Sequence, residues 1–272
     1  MPKHLHYVEP YFGGGAVLLA RDPNRNWMAD GEQALPAGAQ GASEVVNDIY
    51  GELTNFWLVL QDATNFQEFQ RRIALIPFSE AEFNWAKLGE EAIADPVANA
   101  VRFFILARQS RQGLLRDFAT LSRNRTRSGI NEQVSAYLGV IEGLPAIHER
   151  LRNVVILQQE ALDVIRRQDG EHVLQYIDPP YLHTTRSVKD AYAHEMSEDQ
   201  HRELLTVLSG ITGKFMLSGY PSELYDQFAA QHNWVRHERL VDNKASSSKV
   251  KQTMHECVWC NFGHTTNQAG QA

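Results

Sequence analysis

Cysteine is nearly absent from this chain, and so is any pattern of metal-binding residues. Its two cysteines, Cys257 and Cys260, lie in one short apolar run, and no second pair of cysteines or histidines follows at the spacing of a zinc site. The eleven histidines show no metalloprotease-type spacing either. We therefore expect two free thiols, with neither a metal ion nor a redox disulfide.

Long hydrophobic runs are also missing. No stretch approaches the roughly 18–20 apolar residues that a membrane-spanning helix needs, and the amino terminus lacks a signal-peptide pattern. Hydrophobic residues make up 43% and charged residues 22% of the 272 positions, which is ordinary for a globular protein. We expect a cytoplasmic α/β protein without a membrane partner, either as one large domain or as a domain with an insert.

An excess of positive charge is the third thing this sequence lacks. The formal net charge of −7 argues against binding nucleic acid through bulk charge. Between residues 102 and 127, however, seven arginines accompany a single acid, Asp117. Ser, Asn and Thr alternate with the last three of them, which is typical of a loop that follows phosphates, and arginine can also read guanine in the major groove. A solvated basic face is the simpler alternative.

The most informative stretch that is present runs from Val173 to Tyr181, where a short apolar strand enters Asp-Pro-Pro-Tyr. Two prolines can neither donate to a sheet nor continue a helix, so the strand must end at Asp178. The turn then presents a carboxylate, the Pro179 carbonyl and an aromatic ring at a strand's carboxyl end, where open α/β sheets bind ligands. A surface turn after an edge strand is the alternative interpretation.

A second motif lies near the amino terminus. A strand over residues 5–8 leads into Glu9-Pro-Tyr-Phe-Gly13-Gly-Gly15 and then into an apolar helix start. Glycines let a backbone approach a ligand closely, so this arrangement favours a nucleotide-type cradle. Leu18 stands where a dinucleotide fingerprint has its third glycine, which disfavours a nicotinamide oxidoreductase.

Together the two motifs resemble a known family. Asp-Pro-Pro-Tyr is similar to the catalytic motif of amino-directed DNA methyltransferases, and its initial Asp resembles the adenine-N6 enzymes more than the cytosine-N4 ones. Glu-Pro-Tyr-Phe-Gly-Gly-Gly resembles the S-adenosylmethionine loop of Dam-like adenine methyltransferases (D12 class, α group), and the order of parts matches over most of residues 5–262. The resemblance implies a Rossmann-like α/β fold with a seven-stranded S-adenosylmethionine-dependent methyltransferase sheet, in a bacterial or phage protein.

The helical pattern between residues 49 and 152 is too long for one crossover, and no strand with clean alternation interrupts it. We predict a discontinuous catalytic domain over residues 1–60 and 151–262, with a mainly helical target-recognition insert over 61–150. The polar tail, 263–272, is predicted to be disordered.

The resemblance assigns roles to individual residues. The catalytic ones are Asp178, Pro179, Pro180 and Tyr181. Those that would bind S-adenosylmethionine are Glu9, Pro10, Tyr11, Phe12, Gly13, Gly15, Asp48, Glu160, Ala161 and Asp178. Those expected to contact double-stranded DNA are Arg108, Arg111, Arg116, Arg123, Arg125, Arg127 and Lys249. Asp48 could instead cap the helix that follows it. No metal is expected, and the protein would be a monomer or a weak dimer.

Two alternatives stay open at this point. The same tetrapeptide serves cytosine-N4 and RNA methylation. Family members also usually carry a Gly-Gly-Lys-type element before the first strand, and here only residues 1–4 precede it. The chain could therefore be a catalytically impaired, DNA-binding relative with weakened affinity for the methyl donor.

Overall fold

The computed structural model describes residues 1–22, 41–89, 94–127, 129–182, 195–242 and 253–263. Two sequence predictions lie wholly or mostly outside these ranges: the DNA contact by Lys249 and the tail 263–272. Two compact units make up the chain, one formed by residues 1–49 with 159–272 and the other by residues 50–158.

Strands and helices alternate along the first unit and helices dominate the second. The strands are β1 (His6–Glu9), β2 (Ser43–Asn47), β3 (Thr126–Arg127), β4 (Ile130–Asn131), β5 (Val154–Leu157), β6 (Val173–Ile177), β7 (Lys214–Gly219), β8 (Val235–Asp242) and β9 (Thr253–Cys260). The helices are α1 (Ala16–Ala20), α2 (Gly51–Gln61), α3 (Ala63–Ile73), α4 (Glu80–Leu88), α5 (Pro96–Gln109), α6 (Glu132–Leu151), α7 (Ala161–Arg167), α8 (Glu198–Ser209) and α9 (Glu223–His232).

Seven strands form the main sheet in the order β5-β2-β1-β6-β7-β9-β8. β1 pairs in parallel with both β2 and β6, and β6 with β7, whereas β9 is antiparallel to β7 and β8. This confirms the predicted α/β fold with a seven-stranded sheet, and its last two strands, β8 and β9, form an antiparallel pair. The strand order reverses between β1 and β6, and ligands of open α/β sheets bind beside such a switch point, at the carboxyl ends of the strands.

The core of the first unit explains why β6 and β7 are apolar. Their buried side chains pack with residues of α8 and α9 and with Trp259 of β9 in one hydrophobic cluster. Strands that are covered on both faces read as continuous apolar runs. α8 begins at a capping box, in which the Ser197 side chain accepts from the Gln200 backbone N–H and the Gln200 side chain accepts from the Ser197 backbone N–H. This packing holds β6 and β7 in the sheet whose carboxyl edge carries Asp178.

The second unit is built around aromatic side chains. The ring centroid of Phe56 lies 5.5 Å from that of Phe103 and 5.9 Å from that of Phe69, and all three side chains are buried in the core of this unit. Arg102 is buried in an ion pair with Glu52, so it belongs to the helical framework. The pair β3–β4 is a feature that the sequence pattern did not indicate, because two-residue strands are too short to show alternation. Among the helices of the described ranges, none is both long and apolar enough to cross a membrane.

Candidate active site

Two carboxylates meet at the switch point of the sheet. In the register of β1 and β6, Val8 lies opposite Gln175, so Glu9 and Asp178 follow at the same carboxyl edge. Glu9 is only 2% exposed and accepts a hydrogen bond of 2.7 Å from the Tyr7 hydroxyl. Burial raises the pKa of Glu9 to about 7, and the negative charge of Asp178 contributes to the rise.

The glycine loop after β1 is held by β2. The Phe12 N–H donates to the Asn47 carbonyl at 2.8 Å, and the Gly13 N–H donates to the Asp48 carboxylate at 2.9 Å. Gly13 and Gly15 both have positive φ, at +50° and +68°. A Cβ on Gly15 would lie 2.7 Å from the buried ring of Phe12, whereas one on Gly13 would meet nothing within 4 Å. The loop therefore needs glycine at 15 for packing and leaves space beside 13.

Asn47 is a residue that the sequence analysis did not single out. It is 1% exposed, and its amide nitrogen donates to the carbonyls of Pro10 and Gln159, at 2.9 and 3.0 Å. Its amide oxygen accepts from the Gln159 N–H at 2.8 Å. One side chain thus joins the loop after β1 to the loop before α7. A polar residue that ends a buried strand, directly before Asp48, was the available signal.

Tyr11 and Glu160 lie near each other in this unit. Burial raises the pKa of Tyr11 well above its usual value, with the charges of Glu160 and Glu203 as lesser causes. Glu160 is exposed and precedes α7, where its carbonyl accepts from the N–H groups of the first turn. Ala161, the first residue of α7, is half-buried. The predicted donor-binding residues of the first unit therefore lie at the carboxyl ends of strands, in the loops that follow them or at the start of α7.

The Asp-Pro-Pro-Tyr segment is braced by the end of β7. The Tyr181 hydroxyl lies 3.2 Å from the Ser218 hydroxyl, and the Tyr181 ring meets Tyr220 edge-on at 4.7 Å between centroids. Asp178 is accessible to solvent, yet protein atoms surround its carboxyl group closely enough to raise its pKa, and hydrogen bonds from Tyr181 and Ser218 oppose that rise. Pro179 is buried and Pro180 is half-buried. Neither Ser218 nor Tyr220 was predicted as a site residue.

A cavity of about 410 Å³ lies in the second unit, where two of the predicted DNA-contacting arginines line it. Its lining is Phe78, Arg108, Ser110, Arg111, Gln112, Ala119, Thr120, Gln133, Ala136 and Tyr137. Burial lowers the pKa of Arg108 below its usual value. Arg116, Arg123, Arg125 and Arg127 are exposed and do not line this cavity, and Arg125 forms an ion pair of 3.3 Å with Glu132. In the part of the chain that the structure describes, no cluster of three or more His, Cys, Asp or Glu side chains could hold a metal ion.

Comparison with known proteins agrees with this geometry. The chain is 26% identical over 282 residues to the Type II methyltransferase M1.LlaDCHI of Lactococcus lactis subsp. cremoris, with 96% of this chain and 88% of that protein covered. A solved structure from Pyrococcus horikoshii, provisionally assigned as an RNA methyltransferase, covers 72% of this chain and is itself 97% covered. Its TM-score is 0.25 and its sequence identity 10%, which are too low to support a conclusion about this chain.

A family match covers most of the sequence. Residues 1–246 match the D12 class N6 adenine-specific DNA methyltransferases, and this range includes the glycine loop, the helical second unit and the Asp-Pro-Pro-Tyr segment. The chain therefore belongs to the D12 class of N6 adenine-specific DNA methyltransferases.

Proposed function

We propose that this protein transfers a methyl group from S-adenosylmethionine to N6 of an adenine that has been flipped out of double-stranded DNA. The observation that carries the proposal is the adjacency of β1 and β6 at the switch point of the sheet. It brings the Glu9–Gly15 loop and the Asp178–Tyr181 turn to one edge of one unit. A donor and an acceptor of a methyl group must meet in such a place.

The loops on the donor side suit a cofactor with cationic groups and a ribose. S-adenosylmethionine, when bound, supplies a methyl group on a positively charged sulfur. Glu9 and Asp48 offer carboxylates to positive charge or to hydroxyl groups, and the space beside Gly13 lets a ligand approach the backbone. The backbone of Pro10 to Phe12 and the Glu160–Ala161 turn complete the proposed donor site. Asn47 would act through these loops, since it binds two of them.

The acceptor side orients the target base. Flipping an adenine from the duplex requires a few kcal/mol, which stacking and edge hydrogen bonds offset. Tyr181 would stack on the base, and Pro180 keeps the turn that holds it stiff. Asp178 and the Pro179 carbonyl would accept hydrogen bonds from the N6 amino group, so that its lone pair points toward the methyl donor.

The second unit would read the DNA. Arg108 and Arg111 line a cavity together with amide, hydroxyl and aromatic side chains, a mixture that suits a phosphate or a base edge. Further DNA contacts are proposed for the exposed Arg116, Arg123, Arg125 and Arg127, and for Lys249. The Lactococcus relative is named a Type II methyltransferase. By analogy, this chain would modify a specific DNA site within a restriction-modification system.

The test is substitution of Asp178 by alanine. We expect methyl transfer from radiolabelled donor to fall about a hundredfold or more, while calorimetry finds donor binding largely intact. Mass analysis of digested DNA from the unmodified enzyme should show N6-methyladenine. Asp163→Ala, which removes an exposed carboxylate on α7, is the matched control and should retain full activity.

Three results would argue against the proposal. Undiminished turnover of Asp178→Ala removes that residue from the chemistry. Methylcytosine in the digest would show that the enzyme methylates another base, and methylation of RNA alone would show that its substrate is another nucleic acid. Failure to bind the donor at millimolar concentration identifies a DNA-binding protein without methyl transfer.

A further inference from the structure

Ser218 stands beside the proposed catalytic acid because of the sheet register. β6 and β7 are parallel, and their last registered pair is Ile177 with Leu217. The next residues along the two strands are Asp178 and Ser218. Because side chains alternate between the faces of a sheet, Tyr176 and Asp178 share one face, and Ser218 shares it with them.

The Ser218 hydroxyl contacts three polar groups in this corner. Its oxygen lies 3.2 Å from the Tyr181 hydroxyl, and as a hydrogen-bonding neighbour it lowers the pKa of the Asp178 carboxyl group and of the Tyr176 hydroxyl. Ser218 is only 8% exposed, so its hydroxyl is largely shielded from competing water. The Tyr220 ring packs against Tyr181 from the same end of β7. The end of β7 therefore acts as a brace for the turn after β6.

The chemistry of the cluster explains why a hydroxyl is useful there. An ionised carboxylate can only accept hydrogen bonds, whereas a hydroxyl both donates and accepts. One of the two hydroxyls, Ser218 or Tyr181, can therefore donate to Asp178 while it accepts a hydrogen bond from the other. A carboxylate that accepts from one end of such a hydroxyl pair keeps its orientation, which is what an acceptor for an amino group requires.

We propose that Ser218 is a positioning residue for methyl transfer, whose hydroxyl fixes the Asp178 carboxylate and the Tyr181 ring relative to each other. This inference rests on the proposed function, in which Asp178 accepts from the target amine. Ser218 itself touches neither the base nor the methyl donor in this proposal. Its loss should lower kcat and leave donor affinity intact, because the donor loops follow β1, β2 and β5.

The experiment compares Ser218→Ala with Ser218→Thr, which retains a hydroxyl. We expect kcat of the alanine variant to fall about tenfold or more, because a buried hydrogen bond to a charged group is lost. The threonine variant should recover most of that loss. Donor affinity by calorimetry should stay within about twofold for both variants. Ser209→Ala is the control, since the Ser209 hydroxyl bonds to a carbonyl within α8 and should leave kcat unchanged.

A pH profile supplies a readout that a merely structural role would not move. Hydrogen bonds from Ser218 and Tyr181 hold the pKa of Asp178 down against burial and against Glu256. The acid limb of kcat should therefore move to higher pH in Ser218→Ala. The other titratable groups that act on Asp178 or respond to it are Glu9, Tyr176, Tyr225 and Glu256, all of which the substitution retains.

Tyr181→Phe tests the same contact from its other end. It keeps the aromatic ring and removes the hydroxyl, so its acid limb should shift in the same direction, and this variant decides the question if Ser218→Ala does not fold. Wild-type kcat and an unmoved acid limb in both variants would overturn the inference. If Asp178→Ala is inactive in that case, only the role of Ser218 fails; if Asp178→Ala is active, the proposed function fails as well.

Discussion

Gly15 shows how a single missing Cβ shapes the donor loop. Its φ is +68°, and an added Cβ would lie 2.7 Å from the Phe12 ring. We expect Gly15→Ala to displace Phe12, to lower the unfolding free energy by about 1–3 kcal/mol and to weaken donor binding at least tenfold. Urea unfolding and calorimetry measure the two effects. Gly14→Ala is the matched control, because a Cβ there meets nothing within 4 Å, and equal losses in both variants would contradict the packing argument.

Glu9 gives the protein a pH-dependent stability. Its pKa is raised by burial from 4.5 to about 7, so the folded state binds this proton more tightly than the unfolded state. The stabilising contribution is full below pH 4.5 and is lost as the pH rises through about 7, a difference of roughly 3 kcal/mol.

Replacement of Glu9 by Gln should remove this contribution. Between pH 5 and pH 8, the unfolding free energy of the wild type should fall by more than that of Glu9→Gln, as measured by urea denaturation at each pH. Because His4 titrates in both proteins, only the difference between them reports on Glu9. Parallel curves would show that Glu9 is ionised in the folded protein throughout this range.

At the scale of elements, β2 organises the donor loops through its last residue. Asn47→Ala removes the donor for two carbonyls and the acceptor for one buried N–H, so the loops after β1 and before α7 lose their connection. We expect the KM for the methyl donor to rise about tenfold, with a smaller change in kcat at saturating donor. Steady-state kinetics measures both.

The identity of the groups on Asn47 provides the control. Asn47→Asp keeps an oxygen that accepts from the Gln159 N–H, but it replaces the amide nitrogen that donates to the Pro10 carbonyl by a second oxygen. This variant should therefore bind S-adenosylmethionine no better than the alanine variant. Asn55→Ala removes a similar amide-to-carbonyl bond on α2 and should leave the KM unchanged. A wild-type KM for Asn47→Ala would show that the loops hold their positions without it.

Elements differed in how readily the sequence predicted them. The capping box at the start of α8 is formed by four consecutive residues, Ser197 to Gln200, so a Ser-x-x-Gln pattern in the sequence is enough to indicate it. The strand before Asp178 was readable because prolines end it. β3 and β4 could not be predicted from the sequence, because their two-residue pairing depends on contacts across the hairpin and not on a repeat along the chain.

At the scale of the whole molecule, the net charge of −7 makes DNA binding depend on local positive charge. Replacing Arg123, Arg125 and Arg127 together by Gln should weaken binding across DNA sequences and reduce the slope of log K against log salt by up to about 3. Filter binding at several salt concentrations measures this slope.

A control triple variant keeps the change in net charge the same. The exposed Arg71, Arg152 and Arg166 are each paired with an acid three residues earlier in the chain, and their replacement by Gln should alter the slope by less than one. Equal slopes for the two triple variants would place the DNA contacts elsewhere.

The sequence by itself determined the class of this protein, because a glycine loop and Asp-Pro-Pro-Tyr are short motifs whose chemistry lies in consecutive residues. The resemblance to a known family also implied the seven-stranded sheet, which the structure confirms, and the helical pattern predicted an insert over residues 61–150. The partners of those motifs were decided only by the tertiary structure. Asn47 and Ser218 act through residues that are distant in sequence, and which atoms they meet depends on strand order and register. A linear pattern carries neither, since both follow from how the strands pair in the folded sheet.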